Sequence, residues 1–102
     1  MNIRTKTDII PKIQQYLATQ PVERAWLFGS FSRGEEREDS DVDILVSIDR
    51  SAHVGLIKLS GMLLDIQDRL NRKVDLITEK GLMDFARKSV ERNKVLIYER
   101  TE

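Results

Sequence analysis

The chain has 102 residues, with 17 basic and 17 acidic side chains and a formal net charge of zero. That length holds one domain with a real core and leaves no room for a second. The even charge balance argues against the broad basic footprint that sequence-independent nucleic-acid binding needs, though not against a small basic patch.

Apolar residues make up 40% and charged residues 33% of the chain, ordinary values for a globular protein. There is no cysteine, hence no disulfide, zinc–thiolate site or thiol nucleophile. The opening "MNIRTKTDII" is too polar for a secretory leader, and no apolar run approaches a membrane span. The expectation is one domain over residues 1–102, cytoplasmic, with no membrane contact and no direct nucleic-acid binding.

In chain order, "TDIIPKIQQYLATQ" sets Ile9, Ile10, Ile13, Tyr16 and Leu17 at helical spacing. Thr5 or Thr7 would cap this helix, and Pro11 fits only in its first turn. "VERAWLFG" reads as a strand ending at glycine. "SFSRGEERED" suits a loop with one helical turn begun at Ser30 or Ser32. "DVDILVSI" alternates as a strand, Val42, Ile44, Val46 and Ile48 on one face, Asp41, Asp43 and Leu45 on the other.

The longest helix is "SAHVGLIKLSGMLLDIQDRLN". Leu56, Leu59, Leu63, Ile66 and Leu70 form its stripe, Ile57, Met62 and Leu64 widen it, and Asn71 ends it. That stripe is broad enough to leave part over for a partner. "RKVDLIT" is a third strand, "GLMDFARKSVERN" a helix and "KVLIYE" a last extended piece. The fold class expected is α/β, a small mixed sheet with helices mainly on one face. If the strands of Asp43 and Asp75 are neighbours and their valines face the helices, Asp41, Asp43 and Asp75 all project from the opposite face.

Residues two apart on a strand lie about 6.5–7 Å apart and point the same way, so two aspartates there can bend toward one ion. Without a cation such a cluster is costly, because close like charges raise one another's pKa. A hard divalent cation removes that cost, and carboxylate oxygens suit Mg²⁺ or Mn²⁺. Gly29 lets backbone approach a ligand, Ser30 offers a hydroxyl where a helix can begin, and Arg33 offers a fork for phosphate. The rival motifs fail. The aspartate series starting at Asp39 mimics a calcium loop, but Ile44 stands where glycine is needed and Arg50 where glutamate is needed. "GSFSRGEE" has Glu35 where a phosphate loop has lysine.

Gly29-Ser30, ten residues, then Asp41-x-Asp43 resembles the signature of polymerase-β-type nucleotidyltransferases. Within that group "GSFSRGEEREDSDVDILV" resembles the minimal nucleotidyltransferases (MNT) that accompany HEPN-domain partners. The likeness runs over nearly the whole chain, with Ser32 standing where alanine is common. It implies a palm-like α/β fold, ATP as substrate and Mg²⁺ as cofactor. It also implies AMP transfer to a hydroxyl, usually tyrosine, of a HEPN toxin that the MNT protein counteracts as antitoxin. On this likeness Asp41 and Asp43 are metal ligands, and Asp75 is the third carboxylate, which would also orient or deprotonate the attacking hydroxyl. Gly29, Ser30, Arg33 and Ser40 are nucleotide-binding candidates.

Plainer readings stand beside these. Each aspartate could be a solvated strand residue, Ser30 a helix cap, Arg33 a surface cation, Trp26 a core residue and His53 a surface residue. Arg87, Lys88, Arg92 and Lys94 read most simply as a solvated face. Two other functions remain open: a non-catalytic antitoxin acting by occlusion, and a small-molecule nucleotidyltransferase, whose relatives usually carry a second domain for the acceptor.

Overall fold

The computed structural model describes residues 3–29, 34, 41–49, 51–81 and 92–101. Its elements in chain order are α1 (Ile3–Leu17), β1 (Val22–Phe28), β2 (Val42–Ile48), α2 (Leu56–Leu70), β3 (Val74–Thr78) and β4 (Val95–Glu99). The four strands form one sheet in the order β3-β2-β1-β4. β1 pairs antiparallel with β2 and with β4, whereas β2 and β3 run parallel. This is the expected mixed α/β sheet. The expected turn of helix within residues 30–39 lies outside the described residues, as does most of the expected helix near residue 85, of which Arg92 and Asn93 are helical.

α1 starts earlier than its spacing suggests, so Pro11 sits in the helix interior rather than the first turn. An interior proline forgoes one backbone hydrogen bond and crowds the preceding turn, at a cost of about 3 kcal/mol. Ile9, Ile13, Tyr16 and Leu17, on both sides of it, are all buried. At about 1.5–3 kcal/mol for each large apolar side chain removed from water, their packing outweighs that cost. Pro11 itself points to solvent.

One face of the sheet carries Ala25, Leu27, Val42, Ile44, Val46 and Val74, all buried, and α1 and α2 pack on it. α2 contributes Met62, Ile66 and Leu70, and its C-cap Asn71 adopts the left-handed conformation at φ 52°. The broad stripe expected for α2 is therefore split. Its inner edge enters the core, while Leu56, Ile57 and Leu64 are 79%, 90% and 62% exposed. The other face of the sheet carries a second, smaller cluster in which Trp26, Phe28 and Ile77 surround the buried Leu45. Among the described residues no helix is long and apolar enough to cross a membrane.

Candidate nucleotidyl-transfer site

The decisive geometry is the register of three strands. Asp43 is opposite Phe28 on β1 and opposite Asp75 on β3. Residues directly paired across a sheet project to the same side. Asp43 and Asp75 therefore share a face, the one bearing Leu45 and Ile77, as the alternation of the two strands requires. Asp43 is half-buried and Asp75 exposed. Asp41 stands one residue before β2, half-buried.

Two bonds fix the start of this strand pair. The Val42 amide donates to the Lys73 carbonyl at 2.9 Å. The Val74 amide donates to the side-chain oxygen of Gln67 on α2 at 3.1 Å. Both lie within one residue of an aspartate of the pair, so a helix side chain and a strand entry together set the height of Asp75 against Asp43.

Gly29 follows β1 with φ 69°. A Cβ on it would collide with Oδ2 of Asp43 and sit 3.2 Å from Cγ. The glycine thus does something its sequence context did not suggest. It gives the Asp43 carboxylate the space it occupies. The signal was present in the chain as a glycine closing a strand that pairs with the aspartate strand, but only the register identifies which aspartate it meets.

These residues fit a hard cation in two respects. The donors are carboxylate oxygens, and the missing Cβ at Gly29 leaves room for one of them at the strand end. The pairing supplies Asp43 and Asp75 as neighbours. Among the described residues no three acidic or histidine side chains stand as a finished metal cage. Ser30, Arg33 and Ser40 lie outside the described residues.

Other candidates are placed plainly. His53 is exposed. Trp26 is half-buried, with the Lys94 ammonium 4.3 Å from its ring centroid. Arg92 is exposed, while Arg87 and Lys88 lie outside the described residues. A cleft of about 520 Å³, lined by Ser47, Asp49, Thr78, Glu79 and Lys80 among others, sits at the far ends of β2 and β3, away from Asp43 and Asp75.

Residues 11–102 match the family described as polymerase beta, nucleotidyltransferase. The chain belongs to that family. Among the relatives of this nucleotidyltransferase domain is a Methanocaldococcus jannaschii protein assigned by name to the protein adenylyltransferases. It is 35% identical over 72 residues, which cover 70% of this chain and 72% of the relative. A solved structure described as a minimal nucleotidyltransferase superposes with a TM-score of 0.76 at 30% identity, covering 93% of this chain and 95% of that one. The MNT–HEPN complex of Shewanella oneidensis, with a tri-AMPylated HEPN toxin and an MNT antitoxin, gives a TM-score of 0.71. At 18% identity, over 93% of this chain and 73% of that one, it shows a shared fold. The polymerase-β-type palm expected from the Gly-Ser and Asp-x-Asp elements is therefore the fold observed.

Proposed function

We propose that this nucleotidyltransferase moves AMP from ATP to a hydroxyl of a partner protein, a tyrosine of a HEPN-type toxin, and so acts as its antitoxin. One observation carries the reading: Asp43 and Asp75 are paired across β2 and β3, with Gly29 backed against the Asp43 carboxylate. Support for the acceptor comes from the relative named as a protein adenylyltransferase and from the AMPylated toxin beside a chain of this fold.

In this reading Asp41, Asp43 and Asp75 hold Mg²⁺, or Mn²⁺ in its place, which when bound neutralises charge on the triphosphate. Gly29 and Ser30, with Arg33 and Ser40, receive the phosphates. The acceptor oxygen forms a bond to the α-phosphorus. The bond from that phosphorus to the α–β bridging oxygen breaks, and pyrophosphate leaves. The hydroxyl proton passes to the Asp75 carboxylate, which stands exposed on the face where an acceptor must arrive. Most of the rate comes from position and electrostatics, since the chain supplies no covalent intermediate.

The test is transfer of label from ATP carrying ³²P at the α-phosphate to a co-expressed HEPN-type partner. Asp43→Asn and Asp75→Asn are each expected to lower transfer by about a hundredfold or more, the scale for losing one preorganised electrostatic partner. Co-purification with the partner should persist. Transfer at the parent rate in Asp43→Asn would sink the assignment. Full protection of toxin-expressing cells by an Asp41→Asn, Asp43→Asn double variant would instead favour occlusion.

A further inference from the structure

Three of the exposed large apolar side chains, Leu56, Ile57 and Leu64, stand on α2, and two, Val95 and Leu96, on β4. Ile57 and Leu64 are seven residues apart, two helical turns, and so lie on one face. At about 100° per residue that face stands roughly 170° from the buried Met62 and Ile66. Ile57 is 90% exposed and Leu64 62% exposed. Between them lies Gly61, with open space where a Cβ would stand. α2 thus carries apolar side chains on two opposite sides, and among the described residues only the Met62–Ile66 side packs into the core.

We propose that the outer side binds a second copy of this chain, α2 against α2 and antiparallel, about a twofold axis near Ser60 and Gly61. The sequence of the helix is self-complementary in that arrangement. A twofold between positions 60 and 61 brings Ile57 of one copy to Leu64 of the other, twice, and puts Gly61 at the crossing where the axes approach most closely.

The charges agree with the apolar pairing. Lys58 and Asp65 lie on the same flank of α2, and Asp68 lies between that flank and the apolar face. Antiparallel pairing turns like flanks toward each other. Lys58 of each copy then faces Asp68 of the other, and both are exposed in the single chain. The nearby cation that would oppose this, Arg69, is drawn back over the Tyr16 ring, 4.9 Å from its centroid. This inference stands on α2 alone and does not rest on the transfer reaction.

Sedimentation of the full chain over a concentration series tests it. The parent chain is expected to sediment as a dimer at tens of micromolar. Ile57→Lys or Leu64→Lys, at positions too exposed to unfold the chain, should raise the dimer dissociation constant at least tenfold while the far-ultraviolet circular dichroism stays the same. Lys58→Glu should weaken the dimer several-fold, and Lys58→Glu with Asp68→Lys should recover most of the loss. The native chain has no cysteine, so Ser60→Cys provides a clean trap, and oxidation should join two copies by one symmetric disulfide. A parent chain that stays monomeric at 100 micromolar overturns the proposal. So does a dimer indifferent to Ile57→Lys and untrapped by Ser60→Cys. A monomer whose capture of a HEPN-type partner is abolished by Ile57→Lys also overturns it, and assigns the face to that partner.

Discussion

Gly29 and Gly34 separate two things that a glycine can do. Both hold left-handed backbone, at φ 69° and 72°. At Gly34 nothing lies within 4 Å of where a Cβ would go, whereas at Gly29 the Asp43 carboxylate fills that place. Alanine at either position carries the backbone cost of left-handed geometry, about 1–2 kcal/mol. Only at Gly29 does it also displace a carboxylate. Gly34→Ala is therefore expected to lower the unfolding free energy by about 1 kcal/mol and leave the position of Asp43 unchanged. Gly29→Ala should lower it further and reduce AMP transfer to near that of Asp43→Asn. Urea unfolding beside the labelled-ATP assay reads both quantities. Equal loss of transfer in the two variants would mean that the Gly29–Asp43 contact has no bearing on the site.

At the scale of elements, the alternation in "DVDILVSI" and "RKVDLIT" places Asp41, Asp43 and Asp75 on one face. The β2–β3 register pairs Asp43 with Asp75, while Asp41 stands just before β2, and among the described residues the three form no finished cluster. Period-two patterning is legible because each strand has one face committed to α1 and α2. The split of α2 was less legible, since leucine and isoleucine at helical spacing look alike whether they meet a core or solvent. Pro11 was misplaced because a local rule about proline ignores what distant packing can outweigh. The bond that Gln67 accepts from the Val74 amide is not legible in the sequence, for nothing local tells a glutamine which amide it will accept from. That bond gives a prediction. Gln67→Met removes the acceptor at the entry to β3 and should cost about 1 kcal/mol. It should lower the transfer rate several-fold with ATP affinity unchanged, because Asp75 is the next residue. Gln67→Glu keeps an acceptor oxygen in reach and should restore most of the rate. Failure of Gln67→Glu to do better than Gln67→Met would show that bulk, not the bond, is what Gln67 provides.

At the scale of the whole molecule, two polar contacts between residues far apart in the chain predict opposite ends of its pH range. Arg100, just past β4, donates to Asp49 Oδ2 at 2.8 Å, joining the ends of β4 and β2 across β1. The Ser51 amide and hydroxyl donate to Asp49 Oδ1 at 2.9 and 2.8 Å. The bond from Arg100, and then those from Ser51, hold the Asp49 carboxyl down to about 2 from an ordinary 3.8. A depressed acid stabilises the fold above its unfolded pKa, and that stability is lost as pH falls from 3.8 toward 2. Between the helices, the Tyr16 hydroxyl donates to Asp65 Oδ2 at 2.6 Å, tying α1 to α2. Burial first, and then this bond and the Asp65 charge, push the Tyr16 phenol above its ordinary 10.0. A raised pKa has the reverse sign for a group that is neutral below it: its stability is intact below 10 and is lost as pH rises beyond that. Melting temperature plotted against pH should thus hold a plateau between the two limits and fall at each end. Asp49→Asn should lower the plateau and flatten the acid limb while leaving the alkaline limb alone. Tyr16→Phe should flatten the alkaline limb and leave the acid limb alone. The two limbs separate only if the contacts act independently. An acid limb equally steep in Asp49→Asn and parent would place the acid sensitivity in other carboxylates and remove the Asp49–Arg100 latch from the account of how the sheet is closed.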